Sequence, residues 1–165
     1  SDMQLFSQFF AQVTGGELAA DLNVAFAELR STDVDGPTVV RAIDEFPVWA
    51  VAATQAAGQS TVRDAAELRV KEVDRIAMLA AELHRLGADL DEHPDGFTVH
   101  GPTRLKGASV DSHDDHRLGM ALAVAALAAD EPTIIHDAAC MTDSFPGFVE
   151  TLGQLGAHME WVKPA

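Results

Sequence analysis

A cluster of charged residues near the middle of the chain is the strongest candidate for chemistry. Segment 68–75 reads Leu-Arg-Val-Lys-Glu-Val-Asp-Arg, which places three cations and two carboxylates close together, and Arg63 precedes it. Elsewhere acids dominate, because the chain has 11 Lys and Arg against 26 Asp and Glu, for a net charge of -15. That balance argues against a broad basic surface for nucleic acid or anionic lipid. The cluster indicates short-range binding of a small, multiply charged anion.

A second charged motif, at 44–47, reads Asp-Glu-Phe-Pro and begins an apolar helical segment predicted to run from Pro47 to Ala57. Asp44 is expected near the N-cap. Pro47 lies in the first turn, where its missing N–H donor costs nothing. Without further information this motif indicates only the start of a helix.

A third charged motif, at 113–117, reads His-Asp-Asp-His-Arg and precedes a second apolar segment, Leu118 to Ala129. A helix that is apolar on every side must be buried, so its N-terminus would open into the interior or a cleft, where free N–H groups favour anions. Two His and two Asp could also suggest a metal, but adjacent side chains cannot all point at one centre. N-capping by Asp114 or Asp115 is therefore favoured over metal ligation, and no metal site is predicted.

The segment 68–75 is predicted to lie at the start of a third helix. On a helix beginning near Lys71, four apolar residues share one face at the spacing of a buried stripe: Ile76, Leu79, Leu83 and Leu86. Glu72 projects onto the head of that stripe with Arg75 beside it, so a freely solvated carboxylate is not expected there. The alternative is that Glu72 only complements the helix N-terminus and pairs with Arg75 or Lys71.

The chain repeats one order of elements at a separation of about seventy residues. Each copy reads acid, buried helix, strand, amphipathic helix, glycine stop, strand. The first strands are predicted to begin at Thr61 and Thr133 and to run to residues 66 and 139. Gly87 and Gly156 stand where left-handed C-cap residues belong.

The repeat divides the chain into a partial unit 1–43, a unit 44–114 and a unit 115–165 of one domain. The partial unit is predicted to contain a strand from Met3 to Val13, followed by a turn. A unit without its first strand and helix leaves a sheet edge uncovered, so the chain is expected to be a portion of something longer.

Composition favours a folded, cytoplasmic protein. With 165 residues and 47% hydrophobic composition, the chain can bury a substantial core. The single Cys140 rules out an internal disulfide and is expected to be a small core residue in a reducing compartment. The longest nearly uncharged run, Leu118 to Ala129, is too short to cross a bilayer.

Four motifs occur in the order and approximate spacing of a known family: 44–47, 68–75, Asp-His-Arg-Leu-Gly-Met at 115–120 and Ser-Phe-Pro-Gly-Phe at 144–148. They resemble the 3-phosphoshikimate 1-carboxyvinyltransferases, also called EPSP synthases, from about Gly15 to Ala157. The second and third motifs together separate this family from the related UDP-N-acetylglucosamine enolpyruvyltransferases.

The resemblance implies an α/β (α+β) fold of repeated βαβαββ units, with mixed sheets packed around buried helices. Members of the family have two similar domains of three such units, with the active site in the cleft between them. The chain would be the later part of the C-terminal domain and would lack the N-terminal domain. The family transfers the enolpyruvyl group of phosphoenolpyruvate to the 5-hydroxyl of shikimate 3-phosphate, a step of the shikimate pathway that needs no cofactor.

The resemblance also assigns roles in that reaction. Asp44 would hold the attacking 5-hydroxyl and act as its base, with Lys71 close to the same oxygen. Glu72 would transfer protons at the methylene carbon. Substrate anions need fixed positive charge, and the addition and elimination steps need proton carriers close to it.

Four further residues are implied in substrate binding. Arg75 and Arg117 would grip the phosphoenolpyruvate carboxylate, a planar anion that suits bidentate guanidinium pairing. Asp115 and His116 would shape the same wall. Asp44, Glu72, Arg75 and Arg117 are expected to line a single concave surface.

Two positions depart from the family pattern. Many members carry a Lys where this chain has Asp143, and that Lys contacts the phosphate of phosphoenolpyruvate. Many relatives also have an Asn near the position of Glu67, in the part of the site that binds shikimate 3-phosphate. The alternative to a transferase is therefore an isolated or degenerate domain that binds phosphoenolpyruvate weakly and turns nothing over. In either case the 165 residues alone are expected to be inactive.

Overall fold

The computed structural model of the chain describes residues 12–14, 17–19 and 25–162, the first two segments by their backbone alone. Those two segments, β1 (Gln12–Thr14) and β2 (Glu17–Ala19), pair antiparallel. The strand predicted from Met3 to Val13 lies outside the described residues except for its end, which belongs to β1.

A mixed four-stranded sheet forms the main β-structure. Its strand order is β3 (Asp33–Val34), β4 (Gly58–Val62), β6 (Gly96–Gly101) and β5 (Asp89–His93). The β3–β4 pair is parallel, whereas β6 is antiparallel to both of its neighbours. A second, parallel pair joins β7 (Ser109–Asp111) to β8 (Ile134–His136).

The described residues contain six α-helices: α1 (Pro37–Ala42), α2 (Phe46–Thr54), α3 (Arg75–Arg85), α4 (His116–Ala126), α5 (Met141–Ser144) and α6 (Phe148–Gln154). The predicted buried helices are α2 and α4, which pack against each other at the centre, while α3 covers β5. This arrangement confirms the α/β class with mixed sheets around buried helices. No helix in the described part of the chain is both long and apolar enough to span a bilayer.

The apolar stripe of the third helix is confirmed, but the predicted start of that helix is wrong. Ile76, Leu79, Leu83 and Leu86 are all buried in the main core. The helix begins at Arg75 rather than Lys71 because Asp74 is its N-cap, with Asp74 Oδ1 accepting a hydrogen bond from Ala77 N at 3.0 Å. Gly87 follows the helix with φ +86°, as its predicted C-cap role requires.

The predicted strands at 61–66 and 133–139 both end too late. In each copy an aspartate with positive φ, Asp64 at 59° and Asp137 at 51°, stops the strand, because an extended ladder cannot continue through a left-handed residue. A 3-10 helix then follows, Ala66–Val70 in the first copy and Ala138–Cys140 in the second.

Other predicted boundaries also need correction. The helices α2 and α4 end at Thr54 and Ala126, three residues before the predicted ends. Strand β4 begins at Gly58 because its pairing with β6 starts there. Gly156 has the expected positive φ of 101°, but residues 157–162 form no strand.

A smaller apolar cluster packs α4 against the last helices. Cys140 is buried there with Met141, Phe148 and Val149, and burial raises the pKa of its thiol. The prediction that this cysteine is a core residue is confirmed.

Candidate functional site

The centre of the candidate site is the guanidinium of Arg75, which is 1% exposed at the first residue of α3. Its Nε donates to Asp115 Oδ2 at 2.7 Å, Nη1 donates to Asp44 Oδ1 at 2.9 Å, and Nη2 donates to Glu72 Oε2 at 2.5 Å. Desolvation lowers the pKa of Arg75, but the hydrogen bonds and charges of these carboxylates outweigh it, and the pKa lies above its ordinary value. Carboxylates from three segments of the chain therefore converge on one buried cation.

Asp115 is 0% exposed and holds two elements together. It is the N-cap of α4, where Oδ1 accepts from Arg117 N at 2.9 Å and from Leu118 N at 3.1 Å. Its Oδ2 accepts from Arg75. The prediction of N-capping by Asp114 or Asp115 is confirmed, with Asp115 as the cap; Asp114 is exposed and has φ +59°.

Asp44 is a bridge among three cations. It lies in the 3-10 helix Ile43–Glu45 and is 42% exposed. Besides Arg75, Lys71 Nζ lies 3.8 Å from Oδ1 and Arg117 Nη2 lies 3.7 Å from Oδ2. Asp44 lies next to the N-cap of α2, as expected, and the N-cap position itself belongs to Glu45 at the end of the 3-10 turn.

Lys71 and Glu72 lie on an irregular loop between the 3-10 helix Ala66–Val70 and α3. Lys71 Nζ donates to Glu67 Oε1 at 2.6 Å, a hydrogen bond that raises the pKa of Lys71. Glu72 is 48% exposed. It precedes the helix rather than heading its apolar stripe, and the pairing with Arg75 considered as an alternative is present.

Arg117 is the accessible guanidinium of the site, with 30% of its side chain exposed. Nη1 donates to the main-chain oxygen of Asp44 at 3.1 Å and to Glu45 Oε1 at 3.0 Å. His116 is half-buried at the first residue of α4, between Asp115 and Arg117 in the chain.

A cavity of about 170 Å³ opens beside these residues, between α2, α4 and α6. Its rim is charged and its wall is apolar. The rim is formed by Asp44, Glu45 and Arg117, and the wall by Pro47, Val48, Met120, Ala121, Val124 and Phe148.

The cluster has more negative than positive groups. Its three cations, Lys71, Arg75 and Arg117, each lie within ion-pair distance of Asp44. The carboxylates are Asp44, Glu45, Glu67, Glu72 and Asp115. A multiply charged anion would therefore meet net repulsion from this surface unless further cations approach it.

Two predicted contributors lie elsewhere. Arg63 pairs with Asp33, and Arg69 with Asp74 and Glu92, so neither faces Asp44. Asp143 is exposed on α5. Within residues 25–162, no group of three or more His, Cys, Asp or Glu is arranged to hold a metal ion.

Sequence reasoning did not find two contacts of the site. Glu45 binds Arg117, and Glu67 binds Lys71. The four-residue spacing of Glu67 and Lys71 would have predicted their contact only if the segment were an α-helix. For the contact of Glu45 with Arg117, the only signal in the sequence was that Glu45 follows Asp44.

Comparisons with known proteins agree with this architecture. A family model described as EPSP synthase (3-phosphoshikimate 1-carboxyvinyltransferase) matches residues 3–152. The 3-phosphoshikimate 1-carboxyvinyltransferase of Desulforudis audaxviator is 53% identical over 142 residues, covering 86% of this chain and 33% of that protein. The homologous protein of Gloeobacter violaceus is 53% identical over 140 residues, covering 85% and 32%.

Solved structures show the same similarity. EPSP synthase from Acinetobacter baumannii superposes with a TM-score of 0.84 at 34% identity, over 88% of this chain and 35% of that one. The enolpyruvyl transferase NikO from Streptomyces tendae, at 24% identity and a TM-score of 0.66, covers 85% and 32% and shares the fold. The chain spans about a third of the length of the curated relatives it matches. With the four motifs in order, an α/β fold of helices and mixed sheet, and a family match over residues 3–152, the chain belongs to the EPSP synthase family.

Proposed function

We propose that this chain forms one wall of the active site of an enzyme that transfers the enolpyruvyl group of phosphoenolpyruvate to the 5-hydroxyl of shikimate 3-phosphate. The convergence of Asp44, Glu72 and Arg117 around Arg75 is the observation that carries the proposal. It brings two candidate proton carriers and an accessible guanidinium to one surface, although they come from separate repeats.

In the proposed reaction, Asp44 accepts the proton of the 5-hydroxyl as its oxygen attacks C2 of phosphoenolpyruvate. Lys71, an ammonium 3.8 Å from Asp44, stabilises the negative charge beside that oxygen. Glu72 donates a proton to the methylene carbon, which completes a tetrahedral intermediate. Glu72 then takes a proton back from that carbon as the C–O bond to phosphate breaks, which restores the double bond, and Asp44 passes the hydroxyl proton to the departing phosphate.

The two arginines receive different tasks. Arg117 is open to solvent and can pair with the carboxylate of phosphoenolpyruvate. Arg75 is buried and already binds three carboxylates, so an incoming carboxylate reaches it only by displacing Asp44 or Glu72. Its first role is to hold the carboxylates of Asp44 and Glu72 in position. Asp115 in turn holds Arg75 through a buried ion pair.

The excess of carboxylates supports a site completed by a second wall. Both substrates are anionic, and a water-excluding cleft would have to supply further cations opposite Arg117. We place those cations in an N-terminal domain beyond these 165 residues. A single wall also lacks the means to orient two substrates, so the chain alone is expected to be inactive.

The test is phosphate release from the two substrates, measured on this chain alone and on the complete protein of the source gene. Turnover is expected only from the complete protein. There, Asp44→Asn and Glu72→Gln should each lower kcat by about 10²–10⁴-fold, the range for a general acid or base. Asp130→Asn is the matched control, because Asp130 pairs with the exposed Arg104 and with no residue of the candidate site.

The outcomes separate the two functions considered. Turnover by the isolated chain would refute the incomplete site. A complete protein that binds phosphoenolpyruvate without turnover would support the non-catalytic domain instead.

A further inference from the structure

The guanidinium of Arg69 donates four hydrogen bonds, two of them to uncharged main-chain oxygens. Arg69 lies in the last turn of the 3-10 helix Ala66–Val70, and 24% of its side chain is exposed. Nε donates to the main-chain oxygen of Pro94 at 2.8 Å. Nη1 donates to Asp74 Oδ2 at 2.8 Å, and Nη2 donates to Glu92 Oε1 at 2.8 Å and to His93 O at 2.6 Å.

The bond to Asp74 closes a short loop. Arg69 and Asp74 flank the end of the 3-10 helix at Val70 and residues 71–73, which include Lys71 and Glu72 and have no regular secondary structure. Asp74 uses its other oxygen to cap α3 through Ala77 N. The loop is therefore tied across its base to the start of the helix that carries Arg75.

The remaining bonds attach this loop to the sheet. Glu92 and His93 end β5, and Pro94 lies in the turn to β6, which is hydrogen-bonded to β4 along its length. On the other side, Leu68 is 1% exposed and anchors the 3-10 helix in the core. These contacts with β5 and the following turn thus fix the position and orientation of the loop relative to the sheet.

We propose that Arg69 is a positioning residue that holds Lys71 and Glu72 at the site without touching substrate. Its consequence for catalysis rests on the proposed function, whereas its consequence for the loop does not. The planar guanidinium suits this task because its donors have fixed directions and reach four acceptors on two segments. A lysine would keep the charge and lose this geometry.

The first experiment measures the loop itself in this chain. Backbone NMR order parameters of residues 70–73 are expected to fall in Arg69→Gln from about 0.85 toward 0.6 or below, while those of β4 stay high. Arg69→Lys should give an intermediate fall. The control is Arg63→Gln, which loses only a half-exposed pair with Asp33. Unchanged order in the loop of both Arg69 variants would overturn the proposal.

The second experiment measures steady-state kinetics in the complete protein. Arg69→Gln should lower kcat by roughly 10–100-fold, since a displacement of about 1 Å can cost 10²-fold, with KM for either substrate changed less than about threefold. Arg69→Lys should recover part of the loss. A rise in KM at constant kcat would overturn the proposal, because it would show direct substrate binding.

The two experiments separate this inference from the proposed function. If the complete unaltered protein shows no turnover, the proposed function fails and the NMR result alone decides whether Arg69 orders the loop. If turnover is present and Arg69→Gln loosens the loop without lowering kcat, Arg69 has a structural role only and the positioning role is refuted.

Discussion

Arg75 illustrates how burial changes the task of a single cation. Its motif implied a direct grip on a substrate carboxylate, yet the side chain is 1% exposed and hydrogen-bonded to three protein carboxylates. Asp115, its buried partner, has no access to water that could replace a lost ion pair. Removing one member of such a pair leaves the other as an uncompensated buried charge, which costs far more than loss of a surface pair.

Replacement of the two site arginines should therefore affect folding very differently. In this chain, Arg75→Ala is expected to lower the free energy of unfolding by about 3–5 kcal/mol, because Asp115 stays buried without a cation. Arg117→Ala, at a 30% exposed side chain, should cost less than about 1 kcal/mol. Urea unfolding followed by circular dichroism measures both. Equal losses for the two variants would contradict the structural role given to Arg75.

At the scale of elements, short turns rather than the helices themselves carry the candidate catalytic residues to the candidate site. Asp44 lies in a 3-10 turn before α2, and Lys71 and Glu72 lie in a loop before α3. Both α3 and α4 begin with an aspartate cap, Asp74 and Asp115, that also binds an arginine. Each cap thus ends the irregular segment before its helix and also fixes the direction of an arginine side chain.

The glycines differ in whether the backbone needs a left-handed conformation, as at Gly87, or an ordinary helical one, as at Gly153. Gly153 lies in α6, and a Cβ there would meet nothing within 4 Å. Gly153→Ala should stabilise the chain by about 0.5 kcal/mol through a lower unfolded-state entropy. Gly87→Ala should destabilise it by about 1 kcal/mol, since its φ of +86° strains any residue with a Cβ. Thermal unfolding of the pair measures both effects, and a stabilising Gly87→Ala would contradict the C-cap assignment.

At the scale of the whole molecule, electrostatic self-repulsion opposes the compact state. The net charge is -15, and even the candidate site has more carboxylates than cations. Relatives in this family are about three times as long as the matched segment, so the potential around the site in a complete protein need not follow that of this chain. For the chain alone, long-range repulsion should respond to salt.

Raising NaCl from about 0.01 M to 0.15 M shortens the Debye length from about 30 Å to 8 Å. Screening should therefore stabilise the chain by about 1 kcal/mol, or roughly 2–4 °C in Tm. The buried Arg75–Asp115 pair is largely protected from that screening. Calorimetry at the two salt concentrations measures the shift, and a fall in Tm would mean that surface ion pairs outweigh the net repulsion.

Local patterns predicted the elements better than their ends. Apolar periodicity located α2, α3 and α4, because burial of a helical face needs a spacing that is visible in the sequence. It could not show that Asp64 and Asp137 adopt positive φ, since that conformation depends on the hydrogen bonds of neighbouring segments. The strand ends and the 3-10 turns that follow them were missed for this reason.

The α/β class was implied by the resemblance to the family, whereas the apolar helices, a repeat of about seventy residues and the charged segments were predicted from the residues alone. These properties depend on spacing along one segment. The burial of Arg75, the dual use of Asp115 and the anchoring of Arg69 depend on contacts between residues 23 to 40 positions apart. Solvent exposure and hydrogen-bond partners are set when such distant segments pack, and so they decide which cation can meet a ligand and which one holds the site together.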